Sequence, residues 1–194
     1  MSGCEQCRRL GVCKEPHYEA WAAILVAYAQ ADERPDEAQI AALREAIAAF
    51  MSSGARLRLP YYYSLLARVY LQAGCPDDGL LAIDEALAHS TSHNERWWDA
   101  ELHRLRAELT LAAGRDPRDA EAALLRAVEI ARGQQARSLE LRALRTLARL
   151  PGSHRAETLR ALRAAYAWFT EGFDMPDLRA AQAAALPHSS TRRG

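Results

Sequence analysis

β-Branched residues are scarce in this sequence, and Ala and Leu supply most of its 49% apolar share. That mixture favours helix over strand. Long apolar runs are missing too: the longest, Ala20 to Ala29, falls short of the roughly 20 residues a bilayer-spanning helix needs, so it marks a core helix. No Gly-rich stretch ends in Gly-Lys-Ser/Thr, and neither His-Glu-x-x-His nor a nucleophile elbow occurs. The reactions built on those motifs are excluded, and a non-catalytic protein is expected. Lysine is nearly absent, Lys14 being the only one among 25 basic residues, and the formal net charge is zero. Nothing in the overall balance pulls the chain toward nucleic acid or an anionic membrane. An apolar signal stretch is lacking where Cys4, Glu5, Cys7, Arg8 and Arg9 stand, so a cytoplasmic, reducing location is expected, with Cys75 a free thiol.

What the chain does have is helical periodicity from residue 17 onward. Trp21, Ile24, Leu25 and Tyr28 follow the i, i+3, i+4, i+7 pattern that gathers side chains on one face. Ile40, Leu43, Ile47 and Phe50 form a second stripe, Tyr62, Leu65, Leu66, Val69 and Tyr70 a third, and Leu80, Ile83, Ala86 and Leu87 a fourth. Breakers separate them: Pro35, Gly54 with Pro60, Gly74 with Pro76, Gly114 with Pro117, Gly133, and Pro151 with Gly152. The pattern predicts helices at 16–31, 36–53, 60–74, 76–90, 95–114, 117–133, 137–150, 154–170 and 175–187. Connections this short make neighbouring helices antiparallel partners.

The pairs read as repeats. Aligning Trp21, Tyr63, Leu102 and Leu141 gives spacings of 42, 39 and 39 residues, longer than the roughly 34 of a tetratricopeptide unit. In the second unit Tyr63, Leu66, Ala67, Tyr70, Gly74, Gly79, Ile83 and Ala86 carry the motif. Its small residues admit close helix approach while the large ones fill the space around them. In the third unit this alignment puts Arg106 where a small residue belongs and lengthens the turn by two residues. The expected fold is all-α: a TPR-like right-handed superhelix of about four hairpins plus a C-terminal capping helix, over residues 17–187. A Cys-containing segment at 1–16 precedes it, and a disordered tail at 188–194 follows.

Several blocks resemble one bacterial family. They are Gly54-Ala55-Arg56-Leu57 followed by Pro60-Tyr61, Glu95 to Leu102 (ERWWDAEL), Ser138 to Ala143 (SLELRA) and Trp168 to Asp174 (WFTEGFD). The wording is similar to the C-terminal tetratricopeptide region of fusion proteins that join a class III cyclase or transcription-regulator domain to a signal-transduction ATPase. The resemblance covers about residues 17–186 and implies a scaffold or regulatory arm of a bacterial signalling system, with a cyclase or ATPase regulator among its partners. No catalytic residue carries over.

In such a stack the first helix of each pair lines the inner surface. The expected partner-binding groove for a protein or peptide is therefore Tyr61, Ser64, Arg68 and Gln72, then His103 and Thr110, then Arg142 and Arg149. Two alternatives stand beside it. Cys4, Cys7, Cys13 and His17, spaced C-x2-C-x5-C-x3-H, supply four soft ligands suited to tetrahedral zinc; without that site no cofactor is expected. The plainer reading is a loose terminus whose cysteines share no partner. Arg142, Arg145 and Arg149, with Arg137, Arg155, Arg160 and Arg163 nearby, form the one local basic concentration. It is either a solvated face or a nucleic-acid contact. His89 and His93 flank Ser90, Thr91 and Ser92 at an expected helix end, and of Trp97 and Trp98 one is expected to pack inward.

Overall fold

The computed structural model describes residues 16–33, 35–151 and 155–185. Among the described residues the secondary structure is nine α-helices and one 3-10 turn, with no strand. Where a single solenoid over 17–187 is expected, the chain groups into two compact units, Met1–Glu95 and Arg96–Gly194. The first holds α1 (Pro16–Glu33), α2 (Glu37–Ser52), α3 (Leu59–Gln72) and α4 (Pro76–His93). The second holds the 3-10 turn (Arg96–Trp98), α5 (Asp99–Ala112), α6 (Pro117–Gly133), α7 (Arg137–Leu147), α8 (Arg155–Ala167) and α9 (Pro176–Ala185).

Helix starts follow from side-chain chemistry. Asp36 accepts the Gln39 N–H at 2.9 Å to open α2, and Asp116 accepts the Arg118 N–H at 2.9 Å to open α6. Proline occupies the first turn of α3, α4 and α6, where a missing N–H costs nothing. Helix ends are more regular still. Gly54, Gly74, Asn94, Gly114 and Gln135 all take left-handed backbone, with φ of 84, 74, 53, 66 and 55°. Their spacings are 20, 20, 20 and 21 residues. At the last four, the next residue donates to a carbonyl five back: Cys75 to Tyr70 (2.9 Å), Glu95 to Ser90 (3.0 Å), Arg115 to Thr110 (3.1 Å) and Ala136 to Ala131 (2.9 Å). This closure satisfies carbonyls that a helix end leaves open.

These ends fix the repeat register. Gly74 corresponds to Gly114, a step of 40 residues, and Pro76 to Pro117, a step of 41. Buried Tyr62, Leu65, Ala67 and Val69 of α3 then match buried Leu102, Leu105, Ala107 and Leu109 of α5. Gly79, Ile83, Ala86 and Ser90 of α4 match Ala120, Leu124, Ala127 and Ala131 of α6. The sequence alignment is thus corrected by one position: the small residue of the third unit is Ala107, not Arg106, and the turn gains one residue, not two. Leu102 and Leu105 both suit an apolar pattern, so periodicity alone does not separate the two registers. Helix limits shift for the same local reasons. α4 runs on to His93 because Asn94 supplies the left-handed stop, and the segment from 95 opens as a 3-10 turn before α5 begins at Asp99.

Gly133 is the exception among the expected breakers. It is still helical, and Gln135 takes the left-handed position instead. A Cβ at Gly133 meets nothing within 4 Å, and Gly114 is equally uncrowded but sits at φ 66°. Gly133→Ala is therefore expected to raise stability by roughly 0.5–1 kcal/mol, and Gly114→Ala to lower it by about 1–2 kcal/mol. Thermal unfolding of the two variants against the parent checks the sign of each.

Candidate functional site

The expected groove residues fall in both units, so each group is taken within its own. In the first unit α1 packs beside α3, and Asp32 gathers three side chains. Tyr28 donates to its Oδ1 at 3.2 Å, Gln72 Nε2 donates at 3.1 Å, and Arg68 lies 3.9 Å away. Burial pushes the Tyr28 phenol above its ordinary pKa; the Arg68 charge works against that shift, and Asp32 and Tyr61 work with it. Tyr61, Arg68 and Gln72 thus come together as expected, with Tyr28 and Asp32 added. Ser64 does not join them: it is 2% exposed, and its hydroxyl donates to the Tyr61 carbonyl at 2.6 Å. A partner segment cannot reach it.

In the second unit the register correction moves the site. Tyr61, Ser64 and Arg68 correspond to Glu101, Arg104 and Glu108, and these in turn to Arg142, Arg145 and Arg149, by steps of 40 and 41 residues. His103 and Thr110 are displaced from that face. Thr110 is 6% exposed, and burial together with the Arg106 charge holds the His103 imidazole below its usual pKa. What α5, α7 and α9 bring together is a chain of alternating charge. Arg104 donates through Nε and Nη2 to Glu101 at 2.9 and 2.8 Å, and its Nη1 lies 2.6 Å from Glu108. Arg142 lies 3.8 Å from Glu101 and donates through Nε to Asp177 at 2.5 Å. Arg145 lies 3.9 Å from the same aspartate. Burial lowers the Arg145 pKa while Asp177 raises it, and its Nε is buried with no hydrogen-bond partner among the described residues.

This pairing changes how the basic concentration reads. Arg142 and Arg145 are neutralised by Asp177, Arg137 pairs with Glu140 at 2.9 Å, and Arg163 donates to the Ala185 carbonyl at 2.9 Å. Arg149, Arg155 and Arg160 have no acidic partner among the described residues. The i, i+3 and i, i+4 spacing of Glu101, Arg104 and Glu108 is a signal that sequence reasoning could have used. Asp177, 35 residues from Arg142, gives no such signal.

No family model matches this chain. No solved structure matches it either. A protein of Rhizobium meliloti, described as uncharacterised, is 39% identical over 98 residues, which is 50% of this chain but 9% of that protein. The chain therefore spans less than a tenth of that relative.

The other candidates separate cleanly. Cys4, Cys7 and Cys13 lie outside the described residues, as does the His17 side chain, and among the described residues no group of three or more His, Cys, Asp or Glu could hold a metal. His89 and His93 lie within α4 rather than beyond its end. Their rings stack at 5.7 Å, and His89 stacks on Tyr63 at 5.6 Å. Burial and the neighbouring His93 charge lower the His89 pKa. Trp98 packs against Ala100, Ala131 and Leu139, while Trp97 remains 45% exposed. Among the described residues no helix is long and apolar enough to cross a membrane.

Proposed function

We propose that this chain is a non-catalytic, TPR-like interaction module of a bacterial signalling system, one that binds a protein or peptide segment on the first-helix faces of its hairpins. The left-handed helix ends at 20-residue intervals carry the reading, because they make each hairpin a copy of one 40-residue plan. The matched small positions, Ala67 with Ala107 and Ala86 with Ala127, support it. So do the sequence blocks similar to cyclase and ATPase fusion proteins, and a relative in which the matched stretch is 9% of a far longer protein. On this reading the partner is a cytoplasmic regulator, and the polar clusters around Asp32 and Asp177 contribute contacts that discriminate between partners.

The test is site-specific photo-crosslinking in the native host. A photoreactive phenylalanine at Tyr61 is expected to trap a discrete protein partner. The same group at Leu81, exposed on α4, is expected to trap none, and Arg68→Ala with Gln72→Ala should weaken the Tyr61 product at least fivefold. Equal trapping at both positions, or none at Tyr61, would overturn the assignment of the face.

A further inference from the structure

The first unit also contains a cavity of about 280 Å³ that the interaction reading does not use, lined by Tyr18, Trp21, Phe50, Leu57, Arg58 and Tyr62. Its walls are mostly ring faces. Phe50 meets Tyr62 edge to face at 5.2 Å and closes the floor. Pockets that take small molecules combine such apolar walls with a few converging polar groups. Here those groups are donors. Tyr62 is 2% exposed, yet its hydroxyl makes no hydrogen bond among the described residues. The Trp21 indole N–H likewise has no acceptor among them, and the Arg58 guanidinium has no ion-pair partner among them.

The backbone at Arg58 is itself unusual. It is non-glycine and left-handed, at φ 66° and ψ 13°, where it caps α3. Glu95 holds it there, both carboxylate oxygens accepting its backbone N–H at 2.7 and 2.9 Å. That contact occupies the nearest carboxylate with the main chain and leaves the guanidinium to the cavity. Backbone held in a strained region clusters at ligand sites. A buried hydroxyl left unpaired is costly unless something arrives to accept from it.

We infer that this cavity binds a small aromatic carboxylate, its ring between Trp21, Phe50 and Tyr62 and its carboxylate accepting from Arg58 and the Tyr62 hydroxyl. A one-ring acid suits the volume. A carboxylate is the acceptor that a planar guanidinium matches with two hydrogen bonds. The site is independent of the partner-binding faces, so loss of either leaves the other standing.

The experiment is ligand-observed NMR on the full chain, titrating phenylacetate, the neutral 2-phenylethanol, and an acetylated tripeptide ending in phenylalanine. Phenylacetate is expected to bind at least tenfold more tightly than 2-phenylethanol. Arg58→Gln should remove that preference, and Tyr62→Phe should weaken phenylacetate severalfold with an unchanged far-UV spectrum. No saturable binding of phenylacetate, equal binding of acid and alcohol, or full binding by a folded Arg58→Gln variant would each overturn the site. Tighter binding of the tripeptide would overturn a free small molecule as the occupant.

Discussion

Glu101→Ala is expected to cost the second unit about 3–5 kcal/mol, read as a lower urea midpoint at neutral pH. Arg104 is nearly enclosed, its side chain 8% exposed, and both of its Glu101 contacts are hydrogen-bonded ion pairs. Burial by itself would push the guanidinium to give up its charge. The hydrogen bonds and charges of Glu101 and Glu108 outweigh that and hold its pKa above the ordinary value. Removing Glu101 leaves Arg104 charged, buried and dependent on Glu108 alone.

Breaking a buried pair and replacing it are different experiments. Glu101→Leu combined with Arg104→Met should recover most of the loss, because Glu108 and Arg142 are more exposed than the pair itself and water can solvate them. The exposed Arg126–Glu129 pair, at 2.7 Å, is the control. Glu129→Ala should stay within about 0.5 kcal/mol, since salt and solvent screen a surface pair. A Glu101→Ala loss no larger than that of Glu129→Ala would mean that the pair is not desolvated in solution.

The helices were legible because their signals are local. Pro60, Pro76 and Pro117 mark starts, the apolar stripes mark faces, and Gly54, Gly74 and Gly114 mark stops. Asn94 and Gln135 were not legible as stops, since neither residue type demands a positive φ; only the hydrogen bonds at Glu95 and Ala136 reveal them. Missing those two stops is what let the third unit slip by one position, and with it His103 and Thr110. Arg142 and Arg149 stayed in register because α7 restarts from Ala136. The partner of Arg142 remained hidden for another reason. Asp177 reaches it only through the packing of α9 beside α7, and no periodicity records a contact between separate helices. The cavity was equally invisible, being assembled from α1, α2, the loop after α2, and α3.

Leu124→Ala, the second large effect, turns the register itself into a measurement. Leu124 is fully buried in α6, and the buried side chains clustered with it are Ala107, Ala120, Ala123 and Leu147. Three of those four neighbours are alanines, which have no rotamers with which to fill a void. Relaxation is therefore poor, and the loss is expected in the upper part of the large-to-small range, about 3–5 kcal/mol. Leu125, the next residue along the helix and 54% exposed, is the matched control. Its change to alanine should stay within about 0.5 kcal/mol. Arg106→Ala and Ala107→Leu extend the comparison. If Ala107 is the close-approach position, leucine there overpacks the α5–α6 contact and costs about 1–3 kcal/mol, whereas Arg106→Ala costs less. The reverse ranking in urea unfolding would restore the register that places Arg106 at the close approach, and would move the second unit's binding face back onto His103.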